Sequence, residues 1–443
     1  MRDARILAPA PAPAPTGRLR SSRRRASRRA VPVLALAVAA LLVAPGQAVG
    51  SSAHEAEPSF VDPTAQVVGG NAVELEGGVY VGPFAELRGG KRAPITLGAE
   101  SNVQDNVVVD AAAVRPGRER AVIARAGLRP NDGVETGERV ILAHGSSVRG
   151  PARLGVGAAD EADSGVFVSF GAQVDGAVIE RDSGLSVLSR VGPGVTLRSG
   201  LIVLPGKNVT TQAQADDPAL GKVRPIVEAD RLFNEGVVEV NVSLAREYSR
   251  LEAEDASAVR GINVDPGNNV FDQTRDAPRV ASSLCTGPEV VEPEFRNRVI
   301  GDVCFEDTLE ELDERLGEQI SLRADEGGPF AVGEVGHMHD GVVFHALEGS
   351  DLSLGSRIRY GAEAIVHGGG RPTVDLTTGL AEPTVVGNDV TLGAGSTVFR
   401  SLVRNEAVIG ERSAVVGSEL VIGQVVPPRT IYANDAVFGP VEW

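Results

Sequence analysis

With 443 residues, the chain is long enough for two ordinary domains. Aromatic residues make up only 4% while glycines number 53, a mix that suits thin, regular β structure and disfavours a large α/β core. Formal net charge is −16, and residues 1–50 hold nine Arg and one Asp, so the remainder carries about −24, which argues against nucleic-acid binding.

In chain order, residues 1–52 read as an export signal. "RLRSSRRRASRRA" is a basic leader, "VPVLALAVAALLVA" an apolar core, and "PGQAVGSSA" offers small residues for cleavage near Ala48 to Ala53. "SRRAVPV" faintly suggests twin-arginine export. The apolar run is short for a membrane span, so the mature chain is expected to have none; an uncleaved anchor is the alternative. The expected location is secreted or cell-envelope. Residues 53–255 read as a first domain, with a coil region over 61–212 followed by "EADRLFNEGVVEVNVSLAREYSRLEAE", which ends in an amphipathic helix pattern. Residues 256–292 are Pro-, Asp- and Asn-rich and read as a linker. Residues 293–443 form a second domain, in which "FEDTLEELDERLGEQI" predicts a short acidic helix and 320–438 a second coil region. The two cysteines, Cys285 and Cys304, could close one disulfide in an oxidising compartment.

Both coil regions show a six-residue period. "LGSRIRYGAEAIVHGG" sets Leu354, Tyr360 and Val366 six apart, and "VVGNDVTLGAGSTV" does the same with Val386, Leu392 and Val398. "YVGPFAELRGG", "ITLGAESNVQD" and "RVGPGVTLRSG" carry the mark in the first half. An apolar residue at every sixth position, followed by a turn-forming residue, is the hexapeptide signature of a parallel β-helix. Each six residues make one short strand and a corner, three make a coil, and the apolar residues stack into a narrow core.

The phrases "ELRGGKRAPITLGAESNVQDNVVVD", "VILAHGSSVRGPARLG" and "FNEGVVEVNVSLAREY" resemble the γ-class carbonic anhydrases, as do "SLRADEGGPFAVGEVGHMHDGVVFHALEG" and "AIVHGG". The resemblance runs through both halves. It implies left-handed parallel β-helices, usually assembled as a trimer through their faces, so a homo-oligomer is expected. It implies a zinc or ferrous ion, with cobalt a workable substitute, held by three histidines at the seam between neighbouring coils. It implies reversible hydration of CO2 to bicarbonate and a proton. In the first half the family's first ligand is replaced by Asp110, the second is kept as His144, and the third is Arg149. In the second half the first is kept as His345, the second is replaced by Ala362, and the third is kept as His367. The losses are complementary, so docking the halves would rebuild one site from His144, His345 and His367. Three neutral imidazoles with an open fourth position suit a catalytic zinc, which brings the pKa of water bound to it to about 7.

The resemblance also assigns supporting roles. Arg323 and Asp325 match an intersubunit ion pair, Glu326 and Glu348 match proton-handling glutamates, and Asp340 matches a framework aspartate. Arg88, Asn102, Gln104, Asp105 and Asn241 match pocket or frame positions, whereas the first half's acidic turn has become Gly90 and Lys91. His337 and His339 stand where the family has amides; His339 could bond water at the metal or become a ligand, and both also fit a solvated strand face. Two rival readings remain: a catalytically inactive scaffold, marked by Asp110, Arg149 and Ala362, and a hexapeptide acyltransferase, disfavoured by export away from acyl-CoA.

Overall fold

The computed structural model describes residues 57–111, 118–159, 164–254, 296–301, 303–326, 330–346, 352–369, 371–374, 381–382 and 384–443. The export signal, the linker, Cys285 and Glu348 lie outside these residues. Most strands are two to four residues long, and within each half a strand hydrogen-bonds in parallel to the one a full coil later. The result is two left-handed parallel β-helices, each with three sheets as its walls.

The six-residue period is visible as ladder pairs. Leu354 lies beside Val386, Tyr360 beside Leu392, and Val366 beside Val398, one pair on each wall, and all six are buried. In the first β-helix the column Val103, Leu142, Val168, Leu185 and Val203 stacks the same way. Burying each such side chain contributes roughly 1.5–3 kcal/mol, so the thin core is stabilised by repetition and not by bulk. The corners need left-handed backbone: Glu100, Asn106, Arg357, Glu363 and Asp389 all have φ near +60°. At Gly133 (φ +74°) a Cβ would lie 2.0 Å from the Pro94 carbonyl oxygen, so only glycine fits there.

The long helix Glu228–Glu254 follows the first β-helix, as its amphipathic pattern predicts. Its buried Leu244, Ala245, Tyr248 and Leu251 pack on Phe60 and Tyr80 of the first coil region and reach Ile300 of the second. The acidic stretch forms the helix Leu309–Arg315, started by a Thr308–Glu311 capping box. The second β-helix begins one coil earlier than the sequence suggests, with strands Arg298–Gly301 and Val303–Phe305. That segment pairs with Ser321–Ala324 and Phe330–Val332 and is separated from them by the helix Leu309–Arg315, which breaks the six-residue spacing. Cys304 is held in a disulfide. No helix among the described residues is long and apolar enough to cross a membrane.

The two β-helices meet wall to wall. Ala143, Phe170, Leu188, Val343, Ile365 and Ile431 form an apolar layer in the seam. Arg298 bonds Asp62 across it at 3.1 Å, both buried. The C-terminus closes one end, with the Trp443 indole donating to the Leu188 carbonyl at 2.8 Å and Glu442 paired to Lys207 at 3.2 Å.

Candidate metal centre

His144 sits in the corner after strand Val140–Leu142 of the first β-helix. His345 and His367 end strands Val343–His345 and Ile365–His367 of the second and are ladder partners, so one lies directly above the other. All three are buried. Their ring centroids are 5.1, 5.2 and 5.0 Å apart, and one nitrogen from each lies within 4.8 Å of the others. His144 Nε2 is 3.1 Å from His345 Nδ1. The seam thus brings together three imidazoles from two parts of the chain some two hundred residues apart.

The remaining nitrogens face acceptors, which orients each ring. His144 Nδ1 lies 3.5 Å from an Asp105 oxygen, His345 Nε2 lies 3.1 Å from Glu326, and His367 Nδ1 lies 3.2 Å from the Gly368 carbonyl oxygen. Burial pushes the pKa of His144 down against the pull of Asp105, and burial with two neighbouring histidines pushes His367 well down. Burial and Arg323 oppose charge on His345 too, but Glu326 and Asp325 outweigh them and raise it to about 9. The downward shifts favour the neutral imidazole at His144 and His367, the form in which a histidine coordinates a metal.

A frame of buried ions surrounds the cluster. Arg323 donates to Asp105 across the seam at 2.8 Å and to both Asp325 oxygens at 3.2 and 3.0 Å. Ser321 donates to Asp105 at 2.6 Å, and the Tyr248 hydroxyl of the long helix donates to Asp325 at 2.6 Å. Sequence reading missed Tyr248, whose position on a helix gave no chemical signal. Removing its hydroxyl in Tyr248→Phe is expected to cost about 1.5–3 kcal/mol, the value of a bond to a charged group, measurable by urea unfolding.

Gln104 and Asn102 are buried on the first β-helix, beside Asp105. Both ends of the Asn102 amide lack a partner among the described residues, as do the Ser146 and Tyr80 hydroxyls. Buried polar atoms left so are expensive, and Ser146, two residues after His144, suits a site meant to hold water or another polar guest. With three convergent nitrogens and oriented rings, the residues fit a three-histidine metal.

Other candidates lie elsewhere. His337 belongs to strand Val335–Met338, on a different wall of the second β-helix from His345; its ring lies 4.2 Å from that of His339, and it pairs in register with Arg359. The three walls point in three directions, so the amide-to-histidine changes lie on a wall apart from His345, while the first half keeps the amides as buried Asn102 and Gln104, next to the seam residue Asp105. Asp340 caps the Glu318 amide at 2.9 Å. Arg88 is half exposed and pairs with Glu86. Asn241 faces inward on the long helix and donates to the Val237 carbonyl at 2.8 Å.

The first β-helix has a matching ladder with no histidine in it. Arg88, Asp110 and Arg149 are successive ladder partners, in the relation that Arg323, His345 and His367 have in the second. Arg149 now leans 4.0 Å from Asp175 with its side chain 56% exposed.

No family model matches the chain. It is 34% identical to the carbonic anhydrase of Methanosarcina thermophila over 213 residues, covering 46% of this chain and 83% of that protein. It is 32% identical over 120 residues to the carboxysome assembly protein CcmM of Synechococcus elongatus, covering 25% of this chain and only 20% of that one. A solved hexapeptide transferase family protein from Anaplasma phagocytophilum aligns at a TM-score of 0.21 and 18% identity over 42% of this chain and 91% of its own, too slight a likeness to bear on function. Similarity spread over most of a curated carbonic anhydrase, on two hexapeptide-repeat β-helices, makes this chain a member of the γ-class carbonic anhydrase family.

Proposed function

We propose that the protein is a metal-dependent carbonic anhydrase with one site per chain, hydrating CO2 to bicarbonate and a proton. The observation behind this reading is the meeting of His144 with His345 and His367 across the seam, one nitrogen each within 4.8 Å. Zinc, or ferrous iron in its place, would be held by these three rings and would supply Lewis acidity that makes water nucleophilic near neutral pH. The chain's own groups do the rest. Asp105 and Glu326 hold the rings of His144 and His345 in place. Phe170 packs 4.9 Å from His367 and screens that side of the cluster from water. Glu326, 3.1 Å from His345, would receive the proton that leaves, and Glu348 would take it on from there. The disulfide at Cys304 supports an extracytoplasmic location, where the export leader would deliver the chain.

The test is metal analysis and stopped-flow CO2 hydration on the full chain, prepared aerobically and anaerobically. His345→Ala should lose metal and rate together. Arg149→Ala, at the corresponding place in the first β-helix, should keep both. A second reading, a scaffold without catalysis, draws on the replaced ligands Asp110 and Arg149 and on the likeness to an assembly protein. A chain that takes up no metal at the triad would favour it.

A further inference from the structure

Arg400 follows strand Thr397–Phe399, one coil beyond His367, with which Phe399 is in register. The residue is only 9% exposed. Its guanidinium carbon lies 5.0 Å from the Phe399 ring centroid and 5.6 Å from that of Phe233 on the long helix, so each half of the chain gives it one aromatic ring. Phe399 in turn lies 5.5 Å from the His367 ring. The arginine Nε has no hydrogen-bond partner, and no carboxylate among the described residues pairs with the side chain.

The other deeply buried arginines of the seam are neutralised, Arg298 by Asp62 and Arg323 by Asp105 and Asp325. Ring faces return part of the cost of desolvating a guanidinium, but they supply no counter-charge. Burial pushes its pKa down to about 10, which still leaves it charged at neutral pH. A buried cation with an unpartnered donor, next to the layer that touches the triad, calls for an anion.

We infer that Arg400 is an anion-binding arm beside the metal centre, accepting a small planar oxyanion, which is bicarbonate in the working protein. A guanidinium presents parallel N–H donors that match a planar oxyanion and offers nothing to uncharged CO2. Arg400 therefore acts on the bicarbonate side of the reaction. The identity of the anion rests on the proposed activity; the presence of the site does not.

The experiment uses the full chain, first without metal. Calorimetric titration with sodium bicarbonate and with sodium nitrate is expected to show binding to the unaltered protein and at least about tenfold weaker binding to Arg400→Gln, at unchanged melting temperature. Arg400→Lys, which keeps the charge but not the fork, should weaken planar oxyanions more than chloride, and it serves if the Gln variant does not fold. With metal, Arg400→Gln should raise the KM for bicarbonate while leaving that for CO2 within about twofold. Equal anion binding by the unaltered protein and Arg400→Gln, or no anion binding by the unaltered protein, overturns the inference. Arg400-dependent anion binding in a chain that hydrates no CO2 would instead uphold the site and reject the activity.

Discussion

His144→Ala is expected to strip the metal from a chain whose second β-helix is unaltered. The two histidines left, His345 and His367, stand one above the other on a single wall and cannot enclose an ion alone. Removing a ligand outright should exceed the roughly 10–100-fold that changes outside the ligand set cost in metal affinity or activity. Metal content after dialysis against a weak chelator should fall to background, and CO2 hydration with it. Because His144 lies in a corner, the coil should persist, which far-UV circular dichroism will check. A variant retaining full metal would show that the triad is not the ligand set.

Arg323→Met has the largest expected effect on stability. It leaves Asp105 and Asp325 buried without their shared cation, and removing one member of such a network costs about 3–5 kcal/mol. Urea unfolding should report a midpoint lowered accordingly, and loss of metal should accompany it because Asp105 also faces His144. The dependence on pH has a definite sign. Burial alone would raise both aspartates, but Arg323 outweighs it and holds both below the ordinary carboxylate range. A lowered folded-state pKa gives stability that is complete above the unfolded value of about 4 and is lost as pH falls below it. The unaltered protein should therefore lose stability from about pH 4 downward, and Arg323→Met should lose much less over that interval. A parallel acid dependence in both would show that the network is not what joins the halves.

Much of this was legible in the sequence because a β-helix writes its geometry directly into spacing. Leu354, Tyr360 and Val366 stand six apart because each occupies the same place on a successive wall. The gathering of three histidines from both halves was legible too: Asp110 and Arg149 hold in the first β-helix the ladder positions that His345 and His367 hold in the second. What spacing cannot tell is which walls meet. His337 and His339 drew attention by density, yet lie on a wall apart from His345 and His367, and only docking decides that Asp105 meets Ser321 and Arg323 across the seam. Tyr248, Phe399 and Arg400 were equally silent. Their significance comes from neighbours supplied by another β-helix or a packed helix, contacts that no local pattern records.

A centre assembled from separate subunits dissolves when they are diluted, because its ligands must find one another again. Here both walls of the seam belong to one chain, so His144 meets its partners at a local concentration fixed by covalent connection, independent of how much protein is present. Activity per molecule should then stay constant through dilutions that would dismantle an intermolecular site. The same tether would make a bound ion a sensor of folding, since the three histidines come together only after both β-helices have formed and docked. Saturating metal should accordingly raise the melting temperature of the whole chain, as binding to the native state alone requires.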